Sequence, residues 1–274
     1  MNWDLYQLLK TSSVRKANEM KAYKGYLIDL DGTMYRGTEQ IAEAAGFIND
    51  LRKREIPYLF VTNNSSRTPA QVADKLRSIG IATEDDQVFT TSMATANYIA
   101  QQKKDASVYV VGEEGIIEAI KEKGMELVDD NPDFLVMGID RGVNYEKLSK
   151  ACLAVRNGAV FISTNGDIAI PTEQGLLPGN GALTSVVSVS TQVQPIFIGK
   201  PESVIVEQAL QVLGVPKEDT IMVGDNYDTD IMAGINAGID TLLVHTGVTN
   251  AERLKEYEQQ PTYVVNTLDL WHFE

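Results

Sequence analysis

Carboxylates, amides, hydroxyls and one lysine follow several apolar segments of the chain, where the loops of a parallel sheet would bring them together. Four short segments have this position: Asp29–Thr33, Thr62–Ser65, Gly199–Pro201 and Gly224–Asp230. In parallel α/β sheets the functional loops lie at the carboxyl ends of the strands, so we expect all four segments at one sheet edge. These residue types are the ones that bind a hard metal ion and phosphate oxygens.

The aspartate pair Asp29 and Asp31 indicates a cation, because clustered carboxylates repel one another unless a positive charge lies between them. A ligand set made only of oxygens favours Mg²⁺, which keeps several waters and a substrate phosphate as ligands. Lys200 adds a positive point charge. The Thr62 hydroxyl and nearby backbone N–H groups can donate hydrogen bonds to phosphate oxygens. The segments together predict a site for a phosphate dianion.

This set of groups predicts hydrolysis of a phosphate monoester. Asp29 can attack phosphorus as a carboxylate nucleophile, which forms an aspartyl-phosphate. Asp31, two residues further on, can protonate the leaving oxygen and later activate water. Mg²⁺ and Lys200 would stabilise the charge that develops on the transferred group.

Each segment alone has an ordinary alternative. The first resembles the start of a calcium loop, but the later acidic positions of such a loop are Thr33 and Gln40 here. The segment at Thr62 is typical of a turn, and Gly199–Pro201 is typical of a solvated loop. Asp225 with the acidic residues after it could be a helix N-cap. The occurrence of all four in order, each after a predicted strand, favours the site.

The composition limits the partners. The chain has 274 residues and a net charge of −14, so it repels the phosphates of nucleic acid and anionic lipid. No segment of the sequence is long and apolar enough to span a bilayer. The single cysteine, Cys152, excludes a disulfide within the chain and fits a reducing cytoplasm. We therefore expect a cytoplasmic protein that acts on a small phosphorylated metabolite.

Strand-like and helix-like segments alternate, which predicts a parallel α/β architecture. The predicted strands are Tyr26–Leu30, Tyr58–Val61, Ser107–Val111, Phe134–Met137, Val160–Ser163, Ile196–Ile198, Thr220–Val223, Thr241–Val244 and Thr262–Val265. The predicted helices include one after the capping box Thr68–Gln71 and others at Gly115–Lys123, Tyr145–Arg156, Ser203–Leu213 and Ile231–Ala237.

The spacing of the segments predicts an inserted domain. Only 32 residues lie between Asp29 and Thr62, but 137 lie between Thr62 and Lys200. One crossover connection needs about 30 residues, so the excess is about a domain. We predict a catalytic core of residues 20–103 and 194–274, an inserted α/β module of residues 104–193, and an N-terminal extension of residues 1–19.

The segment Thr164–Pro171 is the candidate substrate loop of the inserted module. Its alternative is a tight turn built on Asn165–Gly166. The loop has no arginine or histidine to bind a second anionic group, which favours a small or neutral leaving group.

The segments DLDGTMY, VTNNS, IGKP and VGDNYDTDI resemble, in order, the four motifs of haloacid dehalogenase (HAD) superfamily phosphatases. The resemblance is closest to the NagD-like, p-nitrophenylphosphatase-type subfamily. It implies a Rossmann-like parallel sheet core with an inserted C2-type α/β cap. It also implies Asp29 as the nucleophile and Asp31 as the acid/base, and an acid at position 31 argues against a true dehalogenase.

The same resemblance implies the ligands of the site. Mg²⁺ would be bound by the Asp29 side chain, the Asp31 backbone carbonyl and the Asp225 side chain. Asp230 would support these ligands and orient Lys200. The implied phosphate-binding residues are Thr62, Asn63, Asn64 and Lys200.

Alternatives to hydrolysis remain at this point. One is phosphoryl transfer between substrates, as in a mutase, although such members usually carry their cap between the first two motifs. Another is a non-catalytic sensor of a phosphorylated metabolite. Nucleoside monophosphates, sugar or glycerol phosphates, phosphoglycolate and pyridoxal phosphate are all open as substrates. The oligomeric state is open too, with a homodimer through an exposed cap face as one alternative.

Overall fold

The computed structural model describes residues 21–172 and 174–273. The predicted N-terminal extension, residues 1–19, lies outside the described residues. No helix in the described part of the chain is long and apolar enough to cross a membrane.

The strands are short and are numbered β1 to β15 in chain order. Their bounds are Gly25–Ile28, Tyr35–Arg36, Glu39–Gln40, Tyr58–Thr62, Val88–Thr90, Ser107–Val111, Glu126–Leu127, Phe134–Met137, Val160–Ser163, Ala169–Thr172, Gly175–Pro178, Ile196–Phe197, Thr220–Gly224, Asp240–Val244 and Tyr263–Val265. The α-helices α1 to α9 are Ala44–Lys53, Pro69–Ser78, Thr91–Gln102, Glu114–Glu122, Tyr145–Arg156, Asn180–Thr191, Ser203–Leu213, Met232–Ala237 and Ala251–Leu254. A π-helix, Tyr227–Ile231, precedes α8.

The first large sheet has the strand order β15-β14-β13-β1-β4-β5. Its pairings β15–β14, β14–β13, β13–β1 and β1–β4 are all parallel. Ile28 is in register with Val223, and Gly224 is in register with Leu243. The residues that directly follow β1, β13 and β14 therefore meet at one sheet edge. The α/β fold with a parallel core sheet is confirmed.

The second large sheet, the cap sheet, has the order β12-β9-β8-β6-β7, and its pairings are all parallel. Its strands pack with α5 and α6 around a core that includes Leu135, Phe161 and Val187. Cys152 lies in this core as a free, buried thiol. Strands β10 and β11 form a separate antiparallel hairpin after β9.

The chain divides into two compact units, whose boundaries differ from those of the sheets. The first unit takes the described residues of 1–61 together with residues 76–83 and 201–274. The second unit takes residues 62–75 and 84–200. The predicted boundaries of the inserted module, residues 104–193, stay a prediction.

Local hydrogen bonds explain where several elements begin and end. The predicted capping box is present, since Thr68 and Gln71 exchange side-chain to backbone hydrogen bonds of 3.0 and 3.3 Å at the start of α2. Strand β1 ends at Ile28, two residues before the predicted end. The carbonyl of Leu30 instead accepts a hydrogen bond from the N–H of Met34 at 2.7 Å, which closes a turn.

Candidate active site and metal centre

Three buried carboxylates meet in the first unit. Asp29, Asp225 and Asp230 each offer an oxygen, and these oxygens all lie within 4.8 Å of one another. The three residues are exposed by 8%, 0% and 1%. Asp29 follows β1 and Asp225 follows β13, so the parallel pairing of these two strands brings them together. Asp31 lies outside this cluster and is exposed.

The composition of the cluster suits a hard divalent cation. Three carboxylates held this close in a buried position repel one another, and a cation between them removes the repulsion. All of their donor atoms are oxygens, which Mg²⁺ prefers and which thiolate-seeking metals do not. The carboxylates are therefore consistent with a metal site.

Protein groups orient the Asp225 side chain from both sides. The Thr33 hydroxyl donates a hydrogen bond to Oδ1 at 3.1 Å, and the N–H of Val248 donates to Oδ2 at 2.7 Å. Gly32 has a φ of +92°, and a Cβ at this position would collide with the Asp225 carboxylate. Glycine is thus required at position 32 for two reasons: the positive φ of the backbone, and the short distance between this backbone and the Asp225 carboxylate.

Asp230 is held by the π-helix that follows β13. Its Oδ2 accepts a hydrogen bond from the N–H of Asn226 at 3.0 Å. The Asn226 side chain in turn accepts from the N–H of Asp228 at 3.1 Å, which makes it the N-cap. The N-cap is therefore Asn226, one residue after the predicted Asp225, and this cap is present together with the carboxylate cluster. A Cβ at Gly224 would collide with the Asp230 side chain.

The predicted phosphate-binding residues Thr62, Asn63, Asn64 and Lys200 lie in the second unit. The Asn63 amide donates to the Lys200 carbonyl at 2.9 Å, and its Oδ1 accepts from the Lys200 N–H at 2.8 Å. The same amide nitrogen lies 3.2 Å from a carboxylate oxygen of Asp167. The Lys200 side chain is buried, with 2% of the residue exposed. The structure thus brings Asn63, Asp167 and the Lys200 backbone together.

Asn64 organises the start of α2. Its Oδ1 accepts hydrogen bonds of 3.0 Å from the N–H groups of Ser66 and Arg67. The N–H of Asn64 donates to the Thr62 hydroxyl oxygen at 3.1 Å, which leaves the O–H of Thr62 as a donor. The turn expected as an alternative for this segment is therefore present around the predicted site residues.

The candidate substrate loop, Thr164–Pro171, leads into the hairpin of β10 and β11. Its Asn165 amide donates to the Asn63 carbonyl at 2.7 Å. Asn165 and Gly166 do not form the hairpin's turn, because β10 begins only at Ala169. Sequence reasoning missed Asn180, whose buried amide nitrogen contacts four acceptors, among them the Asn165 carbonyl at 2.9 Å. The amide thereby holds the loop's first residues in place.

Comparison with protein families decides the classification. The family model "Haloacid dehalogenase-like hydrolase" matches residues 26–126, and the model "HAD-hyrolase-like" matches residues 197–270. The chain belongs to the HAD-like hydrolases. The first matched range contains Asp29 and the segment Thr62–Ser65, and the second contains Lys200, Asp225 and Asp230.

Two relatives cover nearly the whole chain of this HAD hydrolase. It is 68% identical over 252 residues to "5'-nucleotidase YutF" of Bacillus subtilis, with 92% of this chain and 98% of the relative covered. It is 56% identical over 252 residues to "Acid sugar phosphatase" of Staphylococcus haemolyticus, with 92% and 96% covered.

Solved structures with similar sequences agree with the fold. A double mutant of the thermostable NPPase of Geobacillus stearothermophilus has a TM-score of 0.88 and 61% identity, covering 93% of this chain and 100% of that chain. NagD of Escherichia coli K-12 has a TM-score of 0.87 and 31% identity, with the same coverage. The NagD-like subfamily and the class of phosphoric monoester hydrolases are thus confirmed.

Proposed function

We propose that this HAD hydrolase is a Mg²⁺-dependent phosphatase that hydrolyses small phosphate monoesters through an aspartyl-phosphate on Asp29. The observation that carries the proposal is the buried cluster of Asp29, Asp225 and Asp230, whose oxygens lie within 4.8 Å of one another. A cluster of this charge needs a cation, and a cation beside a carboxylate nucleophile is the arrangement that phosphoryl transfer uses.

Asp29 is suited to attack phosphorus because its position is fixed while its side chain keeps some access. Its N–H donates to the carbonyl of Val223 at 2.9 Å, and the residue is 8% exposed. Bound Mg²⁺ would offset the repulsion between the carboxylate and the phosphate dianion. Asp31, which is exposed, would move the proton to the leaving oxygen and then take one from water.

We assign the remaining roles from the sequence motifs and the local geometry. The Thr62 O–H and the backbone N–H groups after it would donate to the phosphate oxygens. Lys200 would supply positive charge, with its backbone held by the Asn63 side chain. Because the Asn63 and Asn64 side chains already bind protein groups, we expect their contribution to phosphate binding to come through the backbone and the loop shape.

For the substrate we propose the phosphate ester of a sugar or a nucleoside. The two relatives are described as a 5'-nucleotidase and an acid sugar phosphatase, and both descriptions involve a leaving group rich in hydroxyls. The candidate substrate loop has no arginine or histidine, and it carries Asp167, which can accept hydrogen bonds from hydroxyl groups. A leaving group with its own carboxylate suits this loop less well.

The single buried thiol keeps the cytoplasm as the expected location. A homodimer remains an expectation that size measurement in solution will decide.

Hydrolysis of p-nitrophenyl phosphate tests the reaction. With Mg²⁺ present, the protein should release nitrophenol, and Asp29→Asn should lower the rate to background because an amide is not a nucleophile here. Asp50→Asn, a change of the same kind at an exposed position, should keep full activity. Turnover that survives Asp29→Asn would rule out this nucleophile, and binding of substrates without turnover would favour the sensor.

A screen of metabolites identifies the substrate. Nucleoside monophosphates and sugar phosphates should be hydrolysed faster than phosphoglycolate, which has a charged leaving group. Product analysis separates hydrolysis from transfer, because a mutase would return an isomeric phosphate ester instead of inorganic phosphate.

A further inference from the structure

A loop outside the four motifs lies against the carboxylate cluster. This loop, His245–Asn250, follows β14 and is called the β14 loop below. Strand β14 is the parallel neighbour of β13, whose end carries Asp225, so the loop emerges beside the cluster. Sequence reasoning gave the loop no role.

The β14 loop contacts Asp225 through its backbone. The N–H of Val248 donates to Oδ2 of the carboxylate at 2.7 Å, and the N–H of Thr249 donates to the backbone carbonyl of Asp225 at 3.1 Å. A Cβ at Gly247 would collide with the carboxylate. The loop backbone thus lies so close to Asp225 that position 247 has no room for a side chain. Its hydrogen bond from Val248 orients the Asp225 carboxylate.

The same loop contacts the turn between Leu30 and Met34, which contains Asp31. The Thr246 hydroxyl donates to the carbonyl of Gly32 at 2.6 Å, and Thr246 is 5% exposed. The Thr246 carbonyl accepts from Nε of Arg36, on strand β2, at 2.6 Å. Thr246 therefore ties the β14 loop to the turn between Leu30 and Met34, which contains Asp31.

We propose that Thr246 and Gly247 are positioning residues for metal binding, an inference that rests on the proposed function and extends it. Thr246 holds the turn next to the Asp31 carbonyl, and Gly247 lets the Val248 N–H reach Asp225. Together they keep two ligand-bearing segments, which come from opposite ends of the sequence, at a fixed separation. Outer groups of this kind change metal affinity by about 10- to 100-fold when they are removed.

Calorimetric titration with Mg²⁺, in the absence of substrate, tests the proposal. Thr246→Val keeps the shape but removes the hydroxyl, and it should weaken Mg²⁺ binding by about tenfold or more. Thr246→Ser keeps the hydroxyl and should restore binding. Thr220→Val is the matched control, because the Thr220 hydroxyl is also buried and donates to a carbonyl, that of Pro216, at the other end of β13. The control should bind Mg²⁺ like the wild type.

Kinetics distinguish positioning from a general loss of structure. In Thr246→Val, the Mg²⁺ concentration needed for half-maximal activity should rise, and kcat should recover towards the wild-type value at high Mg²⁺. Gly247→Ala provides a second variant, in which the new methyl group displaces the Asp225 carboxylate and should weaken Mg²⁺ binding more strongly. A thermal unfolding curve for each variant shows whether it is folded.

Wild-type affinity for Mg²⁺ in both Thr246→Val and Gly247→Ala would overturn the inference. Equal loss in Thr246→Val and Thr220→Val would also overturn it, because that result indicates general destabilisation. The proposed function fails separately: a wild-type protein that binds Mg²⁺ but hydrolyses no phosphate ester would refute the phosphatase and leave the role of the β14 loop intact.

Discussion

Asn63 and Lys200, which are 137 positions apart in the sequence, form a reciprocal pair of hydrogen bonds. The Asn63 amide donates to the Lys200 carbonyl at 2.9 Å and its oxygen accepts from the Lys200 N–H at 2.8 Å. An asparagine side chain presents one donor side and one acceptor side, which match the two groups of a single peptide residue. The pair therefore fixes the backbone from which the buried lysine extends.

We predict that Asn63→Ala lowers the free energy of unfolding by about 2 kcal/mol, because it leaves buried polar groups without partners. Asn63→Asp should cost more at neutral pH, since it places a carboxylate against Asp167 and the Lys200 carbonyl, which are both acceptors. Urea denaturation measures both effects. Asn236→Ala, which removes an exposed amide that donates to Pro201, is the control and should change stability much less. Equal stability of Asn63→Ala and the wild type would contradict the role of the pair.

The carboxylate cluster predicts a crossover in thermal stability. In EDTA, Asp225→Asn should melt at a higher temperature than the wild type, since it removes one of three charges whose oxygens lie within 4.8 Å. With millimolar Mg²⁺ the order should reverse, because ligand binding stabilises only the protein that binds it. Differential scanning fluorimetry in both buffers measures the two orders. Asp50→Asn is the control, and Mg²⁺ should raise its melting temperature as much as that of the wild type. If Mg²⁺ raised the melting temperature of Asp225→Asn by the same amount, this would argue against the cluster as the metal site.

The ion pair of Lys103 and Asp133 predicts a loss of stability in acid. A 2.7 Å contact with the Lys103 ammonium, together with the N–H of Ser107 at 2.9 Å, lowers the pKa of Asp133 to about 2. The unfolded chain, with an ordinary aspartate pKa near 4, takes up this proton first as the pH falls. The stabilisation is therefore complete above about pH 4 and is lost between pH 4 and pH 2.

Asp133→Asn should flatten the dependence of stability on pH in this window. Denaturation at a series of pH values checks this, with Asp130→Asn at an exposed position as the control. An unchanged slope between pH 4 and pH 2 in Asp133→Asn would show that the ion pair contributes nothing in solution.

Segments with large apolar residues in short runs were predicted well. The bounds of β6, β8, β9, α5 and α7 agree with the sequence prediction at both ends. The four-residue helix α9 was not predicted, and two longer helices were missed for different reasons. The buried side of α3 includes Thr91, Ser92 and Thr95 and so lacks the large apolar stripe that marks a helix. Helix α6 is rich in valine, a residue typical of strands, and tertiary packing of residues such as Val187 decides its conformation.

The part of the candidate site that follows from strand order was predictable from the sequence. Asp29 and Asp225 follow strands that any parallel sheet of this topology would place side by side. Two contacts were not predictable: the hydrogen bond of the Asn63 side chain to the Lys200 backbone, and that of the Thr246 hydroxyl to the Gly32 carbonyl. In both, a side chain binds a backbone group that is distant in sequence. A backbone carbonyl carries no residue type, so the sequence gives no signal for its partner.

The hydrogen bond between Thr33 and Asp225 joins residues that are 192 positions apart. This separation in the sequence determines when the carboxylate cluster can form during protein synthesis. Strand β1 leaves the ribosome long before β13, and domains are made at about 5–20 residues per second. A growing chain therefore carries Asp29 for tens of seconds or less without its partner aspartates. The carboxylate cluster is completed only after Asp230 has emerged. A truncated product that ends before β13 would therefore contain Asp29, the proposed nucleophile, without the other two carboxylates of the proposed metal site.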